Sequence, residues 1–150
     1  VIKQVLDILK ESKMDSKYLE LEITESIAMK ETGYVIEILN AFKEMGIDIS
    51  IDDFGTEYSC LKYLKQLPVD RIKIAMPFIQ GIDVSVKDEA IAKAIIVLAK
   101  SMKLRVIAEG VETASQLSFL SGNMCEEVQG YYYYKPLPVK EIEELLRNGH

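Results

Sequence analysis

The sequence predicts an α/β protein in which a mostly parallel sheet is curved as in a barrel. Segments of helical period alternate with segments of period two along the chain, a pattern typical of βα units. The predicted strands alternate apolar with charged residues, whereas a parallel sheet covered by helices on both faces has nearly continuous apolar strands. A barrel explains the difference, because its outer face packs on helices while its polar inward side chains meet at the strand ends. The 150 residues contain no repeat or linker and predict one domain.

The first half of the chain contains two predicted helices and two predicted strands. Apolar residues at helical spacing predict an opening helix over Val1–Leu9, and strict alternation predicts a strand over Tyr18–Thr24. Helical spacing recurs over Gly33–Met45, and Gly46 is a typical helix end. Isoleucines alternate with polar residues over Ile47–Asp52, which predicts the second strand.

The second half continues the alternation. Leucines spaced by three predict a short helix over Leu61–Leu67, closed by Pro68. A strand over Asp70–Ala75 and a long helix over about Lys87–Met102 follow. The remaining predicted elements are a strand over Leu104–Glu109, a helix over Thr113–Leu120, a strand over Glu126–Tyr133 and a helix over Val139–Arg147, which Pro138 suits as a start.

The composition excludes several classes of site. A total of 18 Lys+Arg against 24 Asp+Glu gives a formal charge of -6, which argues against a nucleic-acid-binding surface. His150 is the single histidine, so catalytic triads, Cys/His dyads and histidine-rich zinc sites are disfavoured. Cys60 and Cys125 lack CxxC spacing and are too few for a disulfide framework, which predicts the reducing cytoplasm. The apolar stretch Ala90–Met102 is too short to span a bilayer, and no signal-peptide pattern is present.

Polar residues accumulate near the carboxyl ends of the predicted strands, where the strands of a barrel converge. They are Glu22, Asp52, Asp53, Lys73, Glu109 and Gln129. Clustered carboxylates repel one another unless a cation neutralises them, and oxygen-only ligands favour Mg²⁺, Mn²⁺ or Ca²⁺ over zinc. Adjacent aspartates suit two metal ions about 4 Å apart, a recurrent device for phosphodiester cleavage. Lys73 would orient a water or neutralise phosphate charge.

Each of these residues also has a purely structural interpretation. Asp52 and Asp53 are typical turn and N-cap residues, and Glu22 would be solvated or cap a following helix. Lys73 is harder to explain in this way, because burying an unpaired ammonium on an apolar strand is costly. The run Tyr131–Tyr134 would suit stacking on a nucleobase, but alternating core and surface tyrosines of a strand are the more ordinary explanation. No single residue decides between these alternatives.

Five short motifs taken together are more specific, because they occur in a fixed order. They are Glu22-Ile23-Thr24-Glu25, Asp52-Asp53-Phe54-Gly55-Thr56, Val69-Asp70-Arg71-Ile72-Lys73-Ile74, Ala108-Glu109-Gly110-Val111-Glu112-Thr113, and Gln129-Gly130-Tyr131 with Lys135-Pro136-Leu137. In this order they closely resemble the EAL domain family, the bacterial phosphodiesterases that linearise cyclic di-GMP. The resemblance spans nearly the whole chain and implies a modified (β/α)₈ fold of the TIM-barrel type, in agreement with the alternation.

The resemblance implies a role for each matching residue. Glu22 and Asp52 correspond to metal ligands, with Asp52 shared between two ions and Asp53 serving the second. Lys73 matches the lysine that contacts the attacking water, and Glu109 matches the glutamate that serves as general base or second-metal ligand. Three further residues would support the site, namely Gln129 beside Glu109, Glu25 as anchor of the mobile loop from Phe54 to Cys60, and Glu112. The implied cofactors are Mg²⁺ or Mn²⁺, and the implied reaction is hydrolysis of one phosphodiester of cyclic di-GMP to linear pGpG in second-messenger signalling.

The sequence also departs from the family pattern. In the family's order, the Glu-Ala-Leu motif and an asparagine motif lie upstream of Val1, so we expect the chain to be a fragment of the domain that lacks two metal ligands. Ala75 stands where the family usually has aspartate, Glu57 replaces a common glycine, and Cys60 replaces a common serine. Two hypotheses remain. The chain belongs to a phosphodiesterase and hydrolyses little by itself, or it is a degenerate EAL module that binds cyclic di-GMP or a protein without cleavage.

The length predicts an open sheet. A complete barrel of this type needs roughly 250 residues and eight strands, so the chain is expected to form a truncated part-barrel of about five β/α units. Such a part-barrel has two unpaired sheet edges, which are prone to pair with other chains. We therefore expect self-association into a homo-oligomer through these edges. A GGDEF or sensor domain in the parent protein is a further expectation from the resemblance.

Overall fold

The computed structural model describes residues 1–29, 32–56 and 64–149. Within these residues, five parallel strands form one sheet, and each strand is hydrogen-bonded to the next one along the chain. The strands are β1 (Glu20–Thr24), β2 (Asp48–Phe54), β3 (Arg71–Ile74), β4 (Arg105–Glu109) and β5 (Glu127–Gln129). The prediction of a parallel α/β part-barrel is confirmed.

Seven helices alternate with the strands in the described part of the chain. They are α1 (Ile2–Ser12), α2 (Glu25–Met29), α3 (Thr32–Glu44), α4 (Met76–Gln80), α5 (Val86–Ser101), α6 (Ala114–Gly122) and α7 (Val139–Asn148), with a 3₁₀ turn over Ser16–Tyr18. Helices α2 and α4 were not predicted, because five residues are too few to display a helical period. Residues 61–63 of the helix predicted at Leu61–Leu67 fall outside the described residues.

The two faces of the sheet differ as the alternation predicts. Ile49 and Ile51 of β2, like Ile72 and Ile74 of β3, are 0% exposed and belong to the apolar core shared with the helices. Burial of one such side chain contributes about 1.5–3 kcal/mol. The residues between them are charged or polar and point to the opposite, inward face. The helix-facing side therefore supplies the core, and the inward side is available for charged groups.

The fifth strand is shorter than predicted. Alternation suggested Glu126–Tyr133, but β5 ends at Gln129. Backbone contacts turn the chain at this point, since the N–H of Tyr132 donates to the carbonyl oxygen of Val111 at 2.9 Å. A Cβ atom on Gly130 would lie 2.2 Å from that same oxygen, so only glycine permits this approach. The turn replaces the strand pairing that the alternation had suggested.

The run Tyr131–Tyr134 therefore does not alternate between core and surface. The four side chains are 57%, 40%, 53% and 52% exposed along the run. The interpretation of core and surface tyrosines is wrong, because the tyrosines follow the end of β5 instead of continuing it. The rings of Tyr132 and Tyr133 contact each other edge to face, with centroids 5.2 Å apart.

Three sequence predictions concern residues away from the sheet. No helix in the described ranges is long and apolar enough to cross a bilayer. Cys125 is buried with a free thiol, and burial raises the pKa of this thiol to about 11. Cys60 and His150 lie outside the described residues.

Candidate metal centre

Lys73 lies among carboxylates at the carboxyl ends of the strands. Its ammonium nitrogen Nζ is 2.7 Å from Glu22 Oε1, 3.1 Å from Asp52 Oδ1 and 2.6 Å from Glu109 Oε1. These carboxylates belong to β1, β2 and β4, while Lys73 belongs to β3. Lys73 is only 6% exposed. The sheet thus brings four side chains that are distant in sequence into one ionic group.

The pKa of Lys73 is raised above its ordinary value. Burial by itself would lower this pKa, because it disfavours the charged form, but the contacts with Glu109, Glu22 and Asp52 outweigh burial. Lys73 therefore keeps its positive charge at physiological pH. In this site it serves as a hydrogen-bond donor and a positive charge, and it does not accept a proton.

An irregularity in β2 turns two consecutive aspartates toward one point. The register between β2 and β3 shifts between Ile51 and Phe54, so that β2 contains one extra residue. Asp53 has a left-handed backbone with φ 53°, which is uncommon for a residue other than glycine. Successive side chains of a regular strand point to opposite faces. The bulge is therefore what allows Asp52 and Asp53 to share a site.

Asp52, Asp53 and Glu109 form a group suited to a metal ion. One carboxylate oxygen from each residue lies within 4.8 Å of the other two. Asp52 Oδ1 is buried and, among the described residues, accepts no hydrogen bond of good geometry, although Lys73 Nζ lies 3.1 Å away. With Glu22 included, four carboxylates accompany one ammonium, a formal charge of -3. The oxygen donors, the excess negative charge and the unused acceptor all fit a hard divalent cation such as Mg²⁺ or Mn²⁺.

Glu22 joins the ionic group but lies at its rim. Its side chain is 49% exposed and contacts Lys73 at 2.7 Å. Within the described residues, the close carboxylate group comprises Asp52, Asp53 and Glu109, without Glu22. Glu22 is held near the group by its ion pair with Lys73.

Glu25 joins α2 to the segment that follows β2. It is 2% exposed, and its Oε2 accepts a hydrogen bond of 3.0 Å from the backbone N–H of Gly55. Gly55 has φ +99°, and a Cβ there would lie 2.9 Å from a ring carbon of Phe78. This contact positions the chain where it leaves the aspartates. The rest of the predicted loop, with Glu57 and Cys60, lies outside the described residues.

Gln129 and Glu112 lie nearby without entering the ionic group. Gln129 is the register partner of Glu109, but it is exposed, and no hydrogen bond joins these two side chains within the part of the chain described. Glu112 is exposed, and its backbone N–H donates to Gln116 Oε1 at 2.7 Å. The structure thus places Gln129 next to the site through the backbone and Glu112 on the surface.

Ala75 is the first residue after β3. It is 0% exposed and has an extended backbone (φ -58°, ψ 139°) immediately before α4. It stands two residues after Lys73, so the alternation directs its side chain to the same face. A carboxylate at this position would be buried next to the other carboxylates.

A second layer of ion pairs was not predicted from the sequence. Arg71 Nη1 lies 2.6 Å from Glu20 Oε2, and Arg71 Nη2 lies 2.7 Å from Glu127 Oε2. Arg71 precedes Lys73 by two residues and faces the same side. The period of two that marks Lys73 as inward-facing applies equally to Arg71, so the same signal was present.

Comparison with known proteins identifies the family. A family model described as the EAL domain matches residues 1–136. The chain belongs to the EAL domain family. Cyclic di-GMP phosphodiesterase NbdA of Pseudomonas aeruginosa is 45% identical over 147 residues, which is 98% of this chain and 19% of that protein. The chain therefore spans about a fifth of the length of this relative.

Solved EAL structures share the fold. The PaMucR phosphodiesterase in complex with c-di-GMP superposes with a TM-score of 0.90 at 39% identity, covering 94% of this chain and 57% of that one. The EAL domain of Mycobacterium smegmatis DcpA superposes with a TM-score of 0.93 at 36% identity, covering 99% of this chain and 67% of that one. The described sheet and helices are therefore those of an EAL domain.

Asp53→Gly tests two properties of this position, the strain of its left-handed backbone and the role of its side chain as a metal ligand. Glycine relieves the left-handed strain and removes one of several repelling carboxylates, so without metal the free energy of unfolding rises by about 1 kcal/mol in urea titrations. The affinity for Mn²⁺, measured by titration, falls because a ligand is lost.

Asp83→Gly is the matched control, since Asp83 is also left-handed (φ 69°) but lies in an exposed turn. This variant gains stability and keeps its Mn²⁺ affinity. An Asp53→Gly protein that binds Mn²⁺ as tightly as the parent would show that Asp53 is not a ligand.

Proposed function

We propose that this EAL chain carries most of the active site of a metal-dependent cyclic di-GMP phosphodiesterase, which hydrolyses one phosphodiester to give linear pGpG. The observation that carries the proposal is the contact of Lys73 with carboxylates from three strands, beside the group of Asp52, Asp53 and Glu109. The names of NbdA and of the PaMucR complex support the choice of substrate.

Two Mg²⁺ or Mn²⁺ ions are the proposed cofactors. Asp52 and Asp53 would hold them, with Glu22 reaching in from β1, and a carboxylate oxygen of Glu109 lies within 4.8 Å of both aspartates. When bound, such ions neutralise phosphate charge and lower the pKa of a water. The surplus of carboxylates over cations in the cluster supports this assignment, because it leaves negative charge for divalent ions to balance.

The protein's own residues have distinct parts in the proposed reaction. Lys73, charged and held by its carboxylates, donates hydrogen bonds that orient the attacking water and stabilise negative charge on the phosphate. Glu109 accepts a proton from that water. The new bond forms between the water oxygen and phosphorus, and the P–O3′ bond breaks. The 3′ oxygen leaves with a proton from solvent, to which Glu109 in turn releases the proton that it accepted. Gln129, beside Glu109 in the sheet, would support Glu109, and Glu25 fixes the start of the loop through Gly55.

We also propose that the chain is the C-terminal part of its domain and acts in the cytoplasm of a bacterium, next to a GGDEF or sensor domain. The match to about two thirds of the DcpA EAL domain structure (67%) supports the first point. The motif order supports it as well, because the Glu-Ala-Leu motif precedes Glu22 in the family. The metal site of the isolated chain is then incomplete.

Substitution of Glu109 tests the proposed reaction in a protein that contains the upstream part of the domain. Glu109→Gln keeps the size of the side chain but removes the proton acceptor, so kcat for cyclic di-GMP with Mn²⁺ falls by about 100-fold or more. Glu126→Gln is the matched control, because the Glu126 side chain is 86% exposed and belongs to none of the five motifs.

The 150-residue chain alone should hydrolyse little or no cyclic di-GMP in the same assay. In the protein that contains the upstream part of the domain, equal turnover with Glu109 and with Glu109→Gln would contradict the assigned role of Glu109. Rapid, EDTA-sensitive turnover by the chain alone would contradict the proposed incompleteness of its metal site.

A degenerate module that binds cyclic di-GMP or a protein partner without cleavage is the second candidate. Ala75 favours it, since this buried position beside Lys73 lacks the carboxylate usual in the family. The retention of Glu22, Asp52 and Glu109 around Lys73 favours the enzyme, because such a group of charges is costly to maintain without a function.

Turnover of cyclic di-GMP by the protein that contains the upstream part of the domain distinguishes the two candidates, and Ala75→Asp tests whether a carboxylate at this position meets the metal. Without metal, the new buried carboxylate lowers the free energy of unfolding by about 1–3 kcal/mol, and Mn²⁺ restores it. Ala75→Asn serves as the uncharged control and does not respond to Mn²⁺. If the protein that contains the upstream part of the domain is an enzyme, its turnover with Ala75 is already high and changes little with Ala75→Asp. If that protein is a binding module, it binds cyclic di-GMP without turnover.

We propose further that the chain self-associates through the edges of its sheet. In the described residues β1 and β5 each pair on one side only, which leaves backbone N–H and C=O groups free to pair with a second chain. Light scattering over a range of concentrations should give the mass of a dimer or larger assembly. A folded monomer at every concentration would contradict this proposal.

A further inference from the structure

Arg71 connects the two outermost strands of the described sheet. It lies on β3, the central strand, and each terminal nitrogen of its guanidinium contacts a different edge. Nη1 is 2.6 Å from Glu20 Oε2 on β1, and Nη2 is 2.7 Å from Glu127 Oε2 on β5. A single side chain thus spans the sheet from edge to edge.

These contacts require a strongly concave inward face. Neighbouring strands are spaced so that β1 and β5 would lie about 19 Å apart across a flat sheet of five strands. The carboxylates of Glu20 and Glu127 nevertheless meet one guanidinium. The sheet must therefore curl around Arg71, and the two ion pairs favour that curled form over a flatter one.

The partial burial of these groups strengthens the ion pairs. The Arg71 side chain is 16% exposed, that of Glu20 is 22% exposed and that of Glu127 is 37% exposed. Ion pairs shielded from water in this way are weakened less by salt than surface pairs. Guanidinium also has a planar fork that directs two donors outward at once, whereas a lysine ammonium is a single point charge. Arginine is therefore suited to hold two strands.

The same curvature controls the metal group above it. Glu20 and Glu22 stand two residues apart on β1, as Arg71 and Lys73 do on β3, so all four face inward. Holding Glu20 places Glu22 within reach of Lys73. On the other side, β4 lies between β3 and β5, so drawing β5 inward also carries the β4 residue Glu109 toward Lys73.

We propose that Arg71 is a positioning residue, which sets through Glu20 and Glu127 the curvature that brings Glu22 and Glu109 to Lys73. Its bearing on metal binding rests on the proposed function, whereas its effect on the geometry of Lys73 does not. Arg71 touches neither metal nor substrate in this scheme and acts only through the strands.

The test compares Arg71→Met with Lys43→Met in the 150-residue chain. Lys43 is a suitable control because its Nζ contacts both carboxylate oxygens of Asp70 at 2.7 Å, so its loss also removes a partly buried ion pair. Two readouts are used. One is the NMR signal of the Lys73 ammonium in ¹⁵N-lysine-labelled protein without metal, and the other is the affinity for Mn²⁺ alone.

Arg71→Met should shift or broaden the Lys73 signal and weaken Mn²⁺ binding by about tenfold or more, as loss of groups that orient metal ligands does. Lys43→Met should change neither readout, even where thermal unfolding shows a similar loss of stability. Arg71→Lys should recover only part of the effect. If Arg71→Met does not fold, Glu127→Gln, which frees one edge strand, is judged by the same readouts.

An unchanged Lys73 signal in a folded Arg71→Met or Glu127→Gln protein would overturn the proposal. Unchanged Mn²⁺ affinity in these variants would also overturn it. Failure of the parent chain to bind Mn²⁺ would count against the proposed metal site, and the Lys73 signal would then decide the role of Arg71 alone.

Discussion

The structure depends on the pairing of Lys73 with carboxylates that come from three different strands. A buried ammonium is costly unless charged partners surround it, and clustered carboxylates are costly unless a cation lies among them. Each requirement is met by the other at the carboxyl ends of the strands, where Lys73 lies within 3.1 Å of three carboxylates. This balance is incomplete, because the carboxylates outnumber the lysine. The remaining negative charge suits the binding of divalent ions.

The β2 bulge is the local feature that makes this site different from an ordinary strand end. It costs backbone strain at Asp53, whose left-handed conformation is disfavoured for a residue with a Cβ atom. In return it turns the carboxylates of Asp52 and Asp53 toward the same point as that of Glu109. Strain of this kind persists only where the surrounding structure holds it. Here the completely buried Ile51 and the nearly buried Phe54 (4% exposed) flank the strained residue.

The two faces of the sheet carry different kinds of side chain. The isoleucines on the helix-facing side provide the apolar core, and the inward side carries two layers of ion pairs centred on Arg71 and Lys73. Both cations lie on the central strand, and each takes carboxylates from strands on either side. Curvature of the sheet and assembly of the metal group are thus coupled, because the same bending satisfies both cations.

The sequence alone determined the order of the five strands, the parallel sheet, the family and the charged residues that the strand ends bring together. These follow from short-range patterns, since the alternation of side chains and the five motifs are visible within segments of a few residues. The tertiary structure alone decided that β2 bulges at Asp53, that β5 stops at Gln129 and exposes the tyrosines, and that Arg71 joins both edges. Contacts between residues far apart in the chain set these features. The alternation predicts a curved sheet, but the approach of Gly130 to Val111 and the distance from Arg71 to Glu127 depend on how far the strands curl, which no local pattern specifies.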